Sequence, residues 1–231
     1  KKHAERVARR RTQNEDRAAS IEYLAQQRTA EAVAALLVRF PYYIEPTITD
    51  QEEKQRVFDA IIEAGEVATA PVRAFAERAS SLTWPMKILA SLLDPTGYVD
   101  VLLDLLARRD TEYERDPEAK IQLITELGEH KDPRITAAVL RFLEDVDVTV
   151  RFSAVGTLAA QGDDGSREPL LKSFTGEESM RVKVRVAEAF EAVGWTVHGH
   201  RPAVEAALPE GFAVDGEGRI RKTKAGTAGT S

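Results

Sequence analysis

The chain has 231 residues, 43% of them hydrophobic and 30% charged, with no cysteine and a formal net charge of −6. A substantial core is therefore affordable in composition, while disulfides, thiolate zinc sites and cysteine nucleophiles are excluded. No apolar run reaches the roughly 18 residues of a membrane span, and the start lacks the apolar stretch of a secretory signal, so a cytoplasmic location is expected.

Charge divides the chain into three segments. Residues 1–28 carry a net +4, residues 29–208 a net −11, and residues 209–231 a net +1. An acidic body disfavours duplex binding, which depends on neutralising phosphates. The chain starts without methionine, as a piece of a longer protein would.

Residues 1–28 read as a basic helical extension. Its apolar cluster is Ile21, Tyr23 and Leu24, and it suits the polar end cap that a repeat array needs. From residue 29 short apolar segments recur at 30–39, 70–79, 97–107, 133–144, 166–174 and 202–208. Several carry proline near the start, namely Pro71, Pro133, Pro169 and Pro202.

Longer segments alternate with these and align on a cation: Lys54, Lys87, Lys120, Arg151 and Lys183, spaced 33, 33, 31 and 32 residues apart. Four residues before each stands Asp50, Thr83, Asp116, Asp147 or Ser179, all residue types that cap a helix N-terminus. Pro117 suits a first helical position, and Asp50 with Glu53 matches a capping box.

After each cation, apolar residues recur at one-face helical spacing. They are Val57, Phe58 and Ile61; Leu123, Ile124 and Leu127; Ala154, Val155 and Leu158; and Val186, Ala187 and Phe190. The Lys87 copy departs, with Ala90 and Ser91 in phase, Asp94 out of phase, and Leu92 and Leu93 taking over. Gly65, Gly128, Gly162 and Gly194 follow as expected helix stops.

The unit is thus a short helix A, a turn, a longer helix B and a turn. It occurs five times, with a sixth A helix at the end of a 29–208 array. Lone pairs cannot bury their apolar faces, whereas stacked pairs can. Two extended turns interrupt the array, "FPYYIEPTIT" at 40–49 and "RRDTEYERD" at 108–116. Residues 211–222 read as a small hairpin, and "AGTAGTS" at 225–231 as a low-complexity flexible tail.

Two stretches, "DVTVRFSAVGTLAAQGDD" from Asp147 and "RVKVRVAEAFEAVG" from Arg181, resemble the HEAT-repeat family. The likeness is to short bacterial HEAT-like repeats and phycobilisome-lyase-type chains. The period near 32 residues is shorter than the 40–47 typical of HEAT and armadillo units. The resemblance implies an all-α fold, a right-handed α-solenoid of about five helix pairs with B helices lining a concave face. It implies a non-catalytic scaffold for a protein or peptide partner. The alternatives it leaves open are a HEAT-like lyase or accessory enzyme and a DNA-repair-type protein such as a glycosylase, which the acidic body argues against.

Few residues carry recognisable chemistry. His198 and His200 lack a third ligand at fixed spacing. Asp163 and Asp164 suit a turn, and Asp215-Gly-Glu-Gly is no EF-hand loop. Phosphate-binding and nucleophile-elbow motifs are absent, so no catalytic residue, cofactor or metal is expected. The regular cations Lys54, Lys87, Lys120, Arg151 and Lys183, with Arg181, Arg185 and Arg56 beside them, read either as internal ion pairs or as a row for an acidic partner. Tyr42, Tyr43 and Tyr113, in long turns, are the aromatic contact candidates, whereas Trp84 and Trp195 flank helix ends and suit packing.

Overall fold

The computed structural model describes residues 1–223, which are mostly helical. The expected tail at 225–231 lies outside the described residues. Backbone contacts divide the chain into two compact units, Lys1–Arg108 and Arg109–Ser231. Residues 1–28 fall within the first unit, and residues 209–223 within the second.

The first unit holds α1 (Lys2–Ala8), α2 (Asn14–Ala25), α3 (Ala30–Leu37), α4 (Thr47–Ala64), α5 (Thr69–Ala76), α6 (Thr83–Leu92) and α7 (Pro95–Ala107). The basic extension forms α1 and α2. The first packs on α2 and α3, the second on α3 and α4. Val7, Ile21 and Leu24 are buried there, while Tyr23 stays accessible and stacks on His3 with ring centroids 4.0 Å apart.

Two expected helix starts move. Pro46, not Asp50, precedes the first turn of α4, so Asp50 and Glu53 lie inside the helix with buried side chains. No capping box forms, because both carboxylates turn toward buried arginines. Thr83 is the first residue of α6 and Leu82 takes the cap position. The core face of α6 comes two residues earlier than expected, with Ile88 and Leu89 fully buried and Ala90 and Ser91 exposed. Leu82 and Pro85 complete that face at helical spacing. Asp94, which broke the pattern, caps α7 by accepting from Gly97 N at 2.8 Å.

The second unit is more regular. It holds α8 (Glu118–Gly128), α9 (Pro133–Val139, continued as a 3-10 turn over Leu140–Glu144), α10 (Val148–Gln161), α11 (Arg167–Gly176), α12 (Met180–Val193) and α13 (Arg201–Ala207). Helix α10 packs against both α8 and α12. The expected core residues of all three, Leu123 to Leu127, Ala154 to Leu158 and Val186 to Phe190 as spaced above, are buried.

Local signals set these boundaries. Asp147 Oδ1 accepts from Thr149 N at 2.7 Å and Val150 N at 3.1 Å, satisfying first-turn donors of α10. At α8 the expected start moves by one residue: Pro117 takes the cap position rather than the first helical one, and Asp116 before it accepts from Glu118 N at 3.3 Å. At α12, Ser179 holds the cap position, but Glu177 Oε1 accepts from Ser179 N at 2.8 Å. Gly162 and Gly194 end α10 and α12 at φ 68° and 83°, a left-handed conformation that favours glycine.

Gly128 serves otherwise. It is the last residue of α8, and a Cβ there would lie 3.1 Å from Thr157 Oγ1. Its lack of a side chain permits the close approach of α8 and α10, where the Thr157 hydroxyl donates to Ile124 O at 2.6 Å.

The expected hairpin is present as β1 (Phe212–Val214) and β2 (Ile220–Lys222), antiparallel with Phe212 opposite Lys222. Strand β2 packs on α12 with Ile220 buried. Lys222 N donates to Glu191 Oε1 and Lys222 Nζ to Glu188 Oε1, each at 2.9 Å. The hairpin so covers a flank of the last long helix.

Candidate functional site

The aligned cations have unlike fates. Lys54 Nζ donates to Asp50 Oδ2 at 2.8 Å, and both are buried. They belong to a larger network. Arg39 reaches Asp50 Oδ1 at 2.7 Å and Glu53 Oε2 at 2.8 Å, and Arg17 holds Glu53 through both carboxylate oxygens at 2.7 and 3.0 Å. Arg17 and Arg39 are 0% exposed. Burial alone would raise the Asp50 carboxyl, but bonds from Lys54, Arg39 and Ile44 N outweigh it, leaving its pKa below the ordinary carboxylate value. Nothing in the spacing of Arg17 and Arg39 signals this role. The visible trace is Asp50, Glu53 and Lys54 at i, i+3 and i+4 on one helix face that should have been apolar.

Lys120 is also fully buried, with Nζ 2.8 Å from Asp145 Oδ2 and 3.3 Å from Glu112 O. Arg151 grips Glu177 through Nε and Nη2, both at 2.8 Å. That pairing, offset in part by burial, keeps the Glu177 carboxyl below its usual range. Lys54, Lys120 and Arg151 are internal ties, so no accessible five-cation row exists. Lys183 occupies the equivalent position half-buried, without an ion-pair partner among the described residues. Lys87 is exposed, its Nζ 4.7 Å from the Phe58 ring centroid and 5.1 Å from that of Trp84.

The tyrosines separate as well. Tyr42 is half-buried, its hydroxyl donating to Val7 O and its ring under the Arg39 guanidinium at 4.5 Å. Burial raises its pKa, against the opposing pull of Arg39 and Arg17. It packs rather than presents. Tyr43 is partly exposed and bonded to the Thr47 hydroxyl, whereas Tyr113 is 79% exposed. Trp195 is buried edge-on to Phe190 and donates to Asp164 Oδ1 at 2.9 Å. His200 Nε2 lies 2.8 Å from Glu168 Oε1, and the His198 ring lies against Gly218. Among the described residues no cluster of three or more metal-ligand side chains forms.

One basic group stands apart. Arg181 and Arg185, one turn apart on α12, both face the Phe152 ring of α10, at 4.2 and 5.2 Å from its centroid. A cation over an aromatic face is stabilised electrostatically and keeps its outer edge available. Arg185 also lies across Gly156, where a Cβ would come within 2.6 Å of Nη2. Its Nε is buried with no hydrogen-bond partner. Neither arginine has a carboxylate within ion-pair distance among the described residues. Beyond them a groove of about 390 Å³ runs between α10 and α12, floored by Gly156, Ala159, Ala160, Ala189 and Ala192. Its one acidic lining residue, Glu188, is engaged by Lys222.

Residues 99–191, which include α8 to α11 and most of α12, match a family model described as HEAT repeats. No curated protein and no solved structure matches the chain significantly. Among the described residues no helix is long and apolar enough to cross a membrane.

Proposed function

We propose that the chain is a non-catalytic protein-interaction scaffold, a reading supported by the match of residues 99–191 to a family model described as HEAT repeats. Its α10–α12 face takes an acidic segment of a protein partner. The observation that carries this reading is the pair Arg181 and Arg185. Elsewhere in the fold Arg17, Arg39, Lys54, Lys120 and Arg151 are all spent on carboxylates. These two are spent on none, and Arg185 lines a small-residue groove that lets a chain approach closely. Arginine suits such a role because its planar fork binds carboxylates bidentately.

The lowered carboxyls of Asp50, Asp104, Asp132, Glu177 and Asp215 are each explained by arginine, lysine or backbone donors.

The test is affinity capture from native lysate with the full chain and with an Arg181→Glu/Arg185→Glu variant, read by mass spectrometry. A partner rich in acidic residues should be retained by the first, lost from the second and released by salt. Equal capture by both proteins, with circular dichroism showing both folded, would remove this face from the binding surface.

A further inference from the structure

The first unit carries a second surface with different chemistry. A groove of about 550 Å³ opens at the ends of α3, α5 and α6. Leu37, Phe40, Pro71, Phe75, Trp84 and Pro85 contribute to its lining. The Trp84 ring stacks on Phe40 with centroids 4.9 Å apart, which fixes one wall. Volumes of this size with mainly apolar walls are typical of ligand-binding clefts.

Among the described residues Arg78 is the only charged residue of the lining. Lys87 lies outside that lining, with its Nζ 5.1 Å from the centroid of the Trp84 ring that forms part of the wall. Both are exposed, and neither has a carboxylate within ion-pair distance among the described residues. Some other basic side chains of this unit do have one: Arg73 holds Asp104 at 3.0 Å and Arg28 holds Glu63 at 3.1 Å.

We propose that this groove binds an amphipathic acidic peptide segment of a protein partner, with apolar side chains against Phe40, Phe75 and Trp84 and carboxylates on Arg78 and Lys87. Aromatic and arginine side chains at the centre of a contact supply most of the binding energy in protein interfaces. The two cations choose the partner's sign, since like charges facing each other across an interface are costly. A wholly apolar segment would leave them unmatched, and a basic one would be repelled. This surface is independent of the α10–α12 face and stands if that reading fails.

The probe is a capped, fluorescein-labelled peptide alternating leucine and phenylalanine with aspartate, titrated against the full chain by anisotropy. In a Trp195→Phe background the remaining tryptophan, Trp84, should change its emission on binding. The same peptide with asparagine for aspartate should bind about tenfold more weakly. Ala74→Glu places an acid on the exposed groove floor and should weaken the aspartate peptide at least about tenfold. Arg78→Glu, at an exposed site that leaves the fold intact, should do the same and flatten the salt dependence. The proposal is overturned if the aspartate peptide does not bind, or binds no better than its asparagine form. It is equally overturned if Arg78→Glu leaves the affinity unchanged, or if Arg181→Glu/Arg185→Glu, rather than the groove variants, abolishes binding.

Discussion

The two units solve one problem in different ways. Each must tie a long helix to the turn before or after it across a packed apolar layer. In the second unit the solution repeats: Lys120 of α8 reaches Asp145, and Arg151 of α10 reaches Glu177, an acid before the next long helix in each case. In the first unit one buried network replaces the single ties, joining Arg17 of α2 and Arg39 after α3 to Glu53, Asp50 and Lys54 of α4. The single tie is local, and it can be copied with each repeat. The network crosses three elements, and it locks the otherwise polar α2 onto the array. Where the apolar pattern is regular, single ion pairs at α8 and α10 suffice and α12 has none at Lys183 among the described residues; where it is irregular, buried charge does more of the positioning.

That contrast can be broken most sharply at Glu53. Glu53→Ala leaves Arg17 and Arg39 buried without their shared carboxylate. It should cost about 3–5 kcal/mol, as breaking a buried pair does. Urea denaturation of a Trp195→Phe chain, in which Trp84 reports from the first unit, measures it. A loss below about 1 kcal/mol, the range of exposed pairs, would show that the network does not hold α2 in place.

In the second unit the apolar layer should dominate instead. Leu158 of α10 is fully buried, and Leu158→Ala should cost about 2–5 kcal/mol. A Trp84→Phe chain, reporting through Trp195, gives the value. If the loss is under about half a kcal/mol, the regular core is not the source of this unit's stability.

The smallest effect is expected at the single tie. Glu177→Gln keeps the shape but removes the charge that Arg151 grips, for a loss of about 1.5–3 kcal/mol. This tie and the network should also respond to acid. The carboxyls of Asp50 and Glu177 are both held below their ordinary values. Their contribution is therefore complete above the unfolded carboxylate range of about 3.9–4.3. It fades as pH falls through the lower folded-state values, where protonation ends the pairing. Urea midpoints followed from pH 7 to pH 3 should fall, and Glu177→Gln should shallow the fall read by Trp195. An unchanged slope in that variant would mean Glu177 is not among the titrating groups that matter.

By itself the sequence determined the repeat, because a helix face buried against its neighbours must be apolar at 3.6-residue spacing. The phase of Leu123, Ala154 and Val186 follows from that alone, as do the stops at Gly162 and Gly194, where a backbone conformation favours glycine. The hairpin at 212–222 was legible for similar local reasons. Tertiary structure decided everything that depends on which distant groups meet. It placed Asp50 and Glu53 inside α4, since buried arginines from residues 17 and 39 compete for carboxylates that a helix start could also use. It moved the buried face of α6 to Ile88 and Leu89, and made Gly128 a packing residue. It also divided the cations, sinking Lys120 against Asp145 and leaving Arg181 and Arg185 beside Phe152. Charge is visible in a sequence, but its availability is not: whether a lysine is a tie or a contact depends on a carboxylate that can lie 25 residues away, as Asp145 does from Lys120.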